Sequence, residues 1–190
     1  MACSTPPHQL SLMFLPRVIF AILLIPGVLI PGVLIPGLLM GGIAAADTPP
    51  FDIDGAVTVT RIVDGDSLKS GKLSIRLFGI DAPEGRQNCT RADGSEWTCG
   101  KAATSAMADI VAQAAQLDCT LIDVDRYGRL VMRCLAGDTD IAEALVERGL
   151  AVAYRRYSKD YVSAESVAER NARGMWQGRF DMPWDWRRKN

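Results

Sequence analysis

An arginine stands inside an otherwise apolar run, Leu73-Ser74-Ile75-Arg76-Leu77-Phe78-Gly79-Ile80. The run reads as a β-strand, and a guanidinium within it either snorkels to the surface or holds an anionic partner. The nearest carboxylate along the chain is Asp81. Strand parity sends Arg76 and Asp81 to opposite faces, so they share a site only if the strand bends. Gly79 is the residue placed to bend it, as a bulge or kink.

The first 46 residues differ from the rest. Arg17 is followed by an uncharged stretch, Val18 to Ala46, that ends in Ala44-Ala45-Ala46 before Asp47. A charged start, an apolar middle and small residues at the end describe a secretory signal. Three copies of Ile-Pro-Gly interrupt the stretch, and proline opposes a regular helix through it. Cleavage after Ala46 is the favoured reading, and an uncleaved membrane anchor is the rival, because the run is long enough to span. Met13 is an alternative start that gives a more ordinary charged region. Removal of the segment leaves 20 basic against 22 acidic residues, a net charge of −2. Such a chain does not grip long duplexes by overall charge. The single histidine, His8, leaves with the segment, which excludes histidine-based catalysis and mixed Cys/His zinc sites from the rest.

Cys89, Cys99, Cys119 and Cys134 remain, an even number in a chain read as exported, which points to two disulfides. Cys119 and Cys134 are equidistant from the Arg126/Tyr127 junction. A hairpin centred there sets them opposite each other and leaves Cys89 and Cys99 to close the loop after Glu84. A four-cysteine zinc site is the alternative, without the close Cys-x-x-Cys pair such sites use. Asn88-Cys89-Thr90 also fits a glycosylation sequon, to which no role is assigned.

Residues 47–55 read as a tether, 56–180 as one domain, and 181–190 as a Trp- and Arg-rich tail with no assigned place. Alternating Val57, Thr58, Val59 and Thr60 describe a strand to Val63. Asp64-Gly65-Asp66 and Ser70-Gly71-Lys72 turn the chain. Residues 85–100 form a polar loop. Ala103, Ala106, Met107, Ile110, Val111 and Ala114 predict a helix over 101–115. Leu117–Val124 and Leu130–Ala136 form a hairpin. Asp140 with Glu143 begins a short helix that Gly149 ends, and a third helix runs from about Tyr161 to Ala172. The pattern alone gives α+β.

Asp64-Gly65-Asp66 taken alone is a turn. Two carboxylates around one glycine, with Asp81 as a third, are costly together unless a cation offsets them. Oxygen ligands suit a hard divalent cation, and paired guanidiniums suit a phosphate. The blocks Val63-Asp64-Gly65-Asp66-Ser67-Leu68, Ile75 to Glu84, and Asp125-Arg126-Tyr127-Gly128-Arg129 resemble those of the thermonuclease (staphylococcal nuclease-like) family, as does Glu143 to Ala151. The resemblance covers about Ala56 to Trp176. It implies a five-stranded OB-fold-like barrel flanked by about three helices, which the five strands with a helix inserted after the third also fit, and a Ca²⁺-dependent nuclease, secreted to the periplasm or medium and monomeric. The substrate would be DNA or RNA, mainly single-stranded, cut to leave 3′-phosphates. By the same resemblance Asp66, Asp81 and the backbone carbonyl of Ala82 hold the metal, with Asp64 behind them. Ala82 replaces a usual threonine, and Ser67 replaces another while keeping a hydroxyl. Glu84 acts as general base, and Arg76 and Arg129 clamp the phosphate. Arg126, Tyr127, Tyr154 and Tyr157 contact substrate, although the tyrosines serve equally as core. Two other functions compete: a non-catalytic OB-fold binding module, and an envelope-anchored scaffold, with membrane contact only if the N-terminal segment is retained.

Overall fold

The computed structural model describes residues 54–190. The expected export signal, its cleavage point and most of the tether lie outside them. Among the described residues no helix is long and apolar enough to cross a membrane.

The alternation at Val57 and Val59 holds, since both pack against the core while Thr58 and Thr60 face solvent. The single strand expected there is two. β1 (Gly55–Val57) pairs antiparallel with β8 (Leu117–Val124), and β2 (Arg61–Ile62) pairs with β3 (Ser67–Ser70). Gly55, expected in the tether, is therefore the first residue of the sheet. β3 pairs with β4 (Leu73–Leu77), and β4 lies parallel to β9 (Leu130–Ala136), giving the order β1-β8-β9-β4-β3-β2. Five inter-strand steps of about 4.8 Å would part the edges of a flat sheet by roughly 24 Å. Four residues from Val57 to Arg61 reach only about 14 Å. The sheet must curl so that one chain segment serves both edges. The result is a half-barrel of OB type, as expected.

β8 and β9 match their expected bounds, with Cys119 directly opposite Cys134 and bonded to it. Cys89 is bonded to Cys99. The loop they close is not without structure, as had been expected. It holds a small hairpin of β6 (Cys89–Thr90) and β7 (Glu96–Trp97). Helix α1 (Cys99–Val111) starts two residues before the expected position, ends four before it, and presents Ala103, Met107 and Ile110 to the interior. β10 (Thr139–Asp140) leads into α2 (Ile141–Glu147), where the Asp140 carboxylate accepts the backbone N–H groups of Ala142 and Glu143. α3 (Val162–Arg170) lies within its expected range.

The main core joins Leu68, Ile75, Leu77 and Met132 of the sheet to Met107, Ile110, Leu145 and Val146 of the helices. A second cluster surrounds the Cys89–Cys99 bridge and draws in Val152, Met175, Trp176, Phe180 and Trp184. This second cluster places the C-terminal residues. After a 3₁₀ turn (Gly174–Gln177), Arg179 bridges to Thr90 and Gln87 donates to the Asp181 carbonyl at 2.7 Å. Residues 183–189 then form a fourth helix, α4 (Pro183–Lys189), with proline in its first turn.

Candidate active site

β4 ends at Leu77, and the chain turns through Phe78 and Gly79 before β5 (Ile80–Asp81) pairs with β11 (Val152–Ala153). Gly79 has φ +75°, and a Cβ there would meet the Tyr161 ring at 2.9 Å. Both the backbone and the space therefore require glycine. The bend overcomes the parity problem. Arg76 Nη2 donates to Asp81 Oδ1 at 2.7 Å while its Nη1 donates to Asp66 Oδ1 at 2.7 Å.

Asp66 has two further partners. Its Oδ1 also accepts the Ser67 hydroxyl at 2.8 Å, and its Oδ2 accepts the Ala82 backbone N–H at 2.8 Å. Both aspartates are buried, Asp81 completely. Gly65 lets this turn lie against α1, because a Cβ would come within 2.8 Å of the side chains of Ala82 and Ala103. Asp64 accepts the Asp66 N–H at 3.1 Å. Burial, and then the charge of Asp66, push the Asp64 carboxyl up to about 6.

The described structure adds a residue that the sequence reading did not contain. Arg187 of α4 donates Nη2 to Asp81 Oδ2 at 2.7 Å and Nη1 to Asp81 Oδ1 at 3.1 Å. The same Nη1 donates to Glu84 Oε1 at 2.8 Å. Glu84 thus joins the cluster through Arg187. Burial pushes the Asp81 carboxyl up, while the hydrogen bonds from Arg187 and the charge of Arg76 oppose that rise. Burial alone would lower the Arg76 pKa, but Asp66 and Asp81 outweigh it and hold the guanidinium charged. The backbone around Glu84 is fixed by its N–H to Gln87 Oε1 and by Gly100, where a Cβ would overlap the Glu84 carbonyl.

Arg129 stands apart from this network. Its Nε donates to Asp125 Oδ2 at 2.6 Å, leaving both Nη groups without a hydrogen-bond partner among the described residues. Burial raises Asp125, but the N–H groups of Arg129 and Tyr127 and the Arg129 guanidinium outweigh it and hold the carboxyl below its ordinary value. Register places Arg129 usefully. Arg76 is level with Val131 across the parallel ladder, and Arg129 precedes Val131 by two residues, which gives it the parity of the Arg76 face. At the hairpin tip, Tyr127 is 69% exposed beneath the Arg126 guanidinium. Tyr154 is not a free platform, since its ring stacks on Trp184 at 5.3 Å and meets Tyr157 edge-on at 4.9 Å. Tyr157 itself is exposed.

Among the described residues no group of three or more His, Cys, Asp and Glu side chains is gathered to hold a metal ion. The donor chemistry still fits a cation completed by water and substrate. Asp66, Asp81 and Glu84 share two guanidiniums, Arg76 and Arg187, and Asp64 adjoins Asp66, which leaves a negative excess of all-oxygen character. One or two carboxylates plus substrate phosphate is how Mg²⁺ is commonly held, and Ca²⁺ would need backbone carbonyls and waters as well to reach six or more oxygens.

Residues 74–178 match the family model described as Staphylococcal nuclease homologue. The chain belongs to that family. The succinoglycan biosynthesis protein ExoI of Rhizobium meliloti (strain 1021) is 33% identical over 118 residues, 61% of this chain and 62% of that protein. The probable staphylococcal-like nuclease CAN1 of Oryza sativa subsp. japonica is 32% identical over 127 residues, 65% of this chain but 35% of that protein. The micrococcal nuclease of Shigella flexneri is 30% identical over 148 residues, 68% of this chain and 79% of that protein. The chain therefore spans less than two thirds of the length of the first two. Arg187 lies beyond the part matched by the family model, and only its Trp/Arg-rich setting marked it in the sequence.

Proposed function

We propose that this chain is a metal-dependent nuclease that hydrolyses phosphodiester bonds of DNA and RNA, acting mainly on single strands and leaving 3′-phosphates. The observation that carries this reading is Arg76 straddling two buried aspartates at 2.7 Å each, with Glu84 on the same network. Ca²⁺ held by Asp66, Asp81 and the Ala82 carbonyl, with Asp64 behind them, would polarise a phosphoryl oxygen and offset the excess negative charge. Glu84, more exposed than Asp66 and Asp81, orients a water and accepts its proton. Arg76 and the free Nη groups of Arg129 donate to phosphate oxygens as negative charge accumulates on them. Arg126 and Tyr127 at the exposed hairpin tip, and Tyr157, contact the strand beyond the scissile group. Base faces are all alike to an aromatic ring, so recognition is largely independent of sequence.

Two disulfides in one small domain support an oxidising compartment and hence an exported protein. The test is digestion of heat-denatured DNA by the purified protein with added Ca²⁺, followed by end-group analysis. The reading expects fragments bearing 3′-phosphate and 5′-hydroxyl ends, and no digestion in EGTA. Intact DNA under both conditions would reject it.

A further inference from the structure

The C-terminal helix does more than close the fold. Beside Asp81 and Glu84 lies an open cleft of about 450 Å³ lined by Tyr154, Arg156, Trp184, Arg187 and Arg188. Three of its five lining residues are arginines and none is acidic. Arg156 makes no ion pair or hydrogen bond among the described residues and lies 6.0 Å from the Tyr157 ring centroid. Arg188 pairs with Asp185, one turn back on the exposed side of α4. Arg187 belongs to the cleft and to the carboxylate cluster at once, so the two are continuous. The rest of the lining is the stacked pair of Tyr154 and Trp184.

We infer that this cleft binds the sugar-phosphate backbone of a single-stranded nucleic acid next to the scissile bond, with Arg156 and Arg188 taking the adjoining phosphate. The inference rests on the nuclease reading above. Its chemistry follows from the lining: guanidiniums suit phosphate oxygens bidentately, and the apolar part of the lining suits a sugar. It also resolves an apparent conflict in charge. The whole chain is slightly acidic, but the cations the substrate needs are concentrated on α4 and the segment after β11. The anchor is firm, because Trp184 is packed in the second apolar cluster and Asp181 is held by the buried Gln87.

The test is binding of a fluorescein-labelled single-stranded oligodeoxynucleotide, followed by anisotropy in chelator so that nothing is cut, across a salt series. Each phosphate contact on a single strand contributes about 0.7 to the slope of log affinity against log salt. The double variant Arg156→Gln/Arg188→Gln should therefore bind with a slope shallower by about 1.4 and roughly tenfold more weakly at low salt. The pair Arg156→Lys/Arg188→Lys should restore most of the slope, because it restores the charge. If the wild-type protein cuts DNA while the Gln variant keeps the wild-type slope and affinity, the cleft assignment falls and the nuclease reading stands. If the wild-type protein neither binds nor cuts, both fall.

Discussion

Replacing Arg76 by methionine removes the bridge between two buried carboxylates while keeping most of the side-chain volume. Asp66 and Asp81 are 4% and 0% exposed at the side chain, and Arg76 is 16% exposed, so solvent relieves little of the lost pairing. Breaking a buried ion pair from one side costs about 3–5 kcal/mol. Here the lower end applies, because Asp81 keeps Arg187 while Asp66 keeps the Ser67 hydroxyl and the Ala82 N–H. A loss of about 3 kcal/mol in a domain of this size lowers Tm by roughly 10 °C. Thermal unfolding in chelator, with a parallel urea titration, reads it directly. Arg76→Lys should recover less than half, because one ammonium cannot serve two carboxylates in the geometry of a fork. A fall in stability below about 1 kcal/mol for Arg76→Met would show that the carboxylates are not held as described and would refute the reasoning.

Other outcomes follow from the same geometry. Arg129→Gly should lower turnover on denatured DNA by about two orders of magnitude, the scale of losing one charge-stabilising donor, with unfolding lowered by about 1 kcal/mol or less, because what is lost from the fold is one partly exposed ion pair to Asp125; turnover within threefold of wild type would remove Arg129 from the mechanism. Replacing Cys119 and Cys134 together by serine opens a link of sequence separation 15, so urea unfolding should report a loss of about 3 kcal/mol, and an unchanged midpoint would contradict that estimate.

Much of this site could be read from short-range rules. The parity conflict between Arg76 and Asp81 required a bend, and Gly79 supplies it with a positive φ against the Tyr161 ring. The symmetric spacing of Cys119 and Cys134 about the turn made the hairpin register and its disulfide legible together. Local signals also sufficed for the capped helix α2. Three features escaped because their causes are distant. The strand expected over 57–63 divides because its two halves pair with opposite edges of a curled sheet, which no alternation pattern records. The two-residue strands β6 and β7 are too short to carry periodicity. Arg187 reaches Asp81 across a separation of 106 residues, through a helix placed by aromatic packing around the Cys89–Cys99 bridge. A Trp- and Arg-rich run signals that something is held, but not against what.

On the proposed reading Glu84, beside the bridged aspartates, serves the chemical step. Single-turnover cleavage of single-stranded DNA with saturating Ca²⁺ by the wild-type protein and by Glu84→Gln measures that step with substrate already bound. Wild-type cleavage that ends on chelation, with Glu84→Gln slower by about two orders of magnitude yet binding the strand with equal affinity, is the result expected. Equal rates for the two proteins would contradict it.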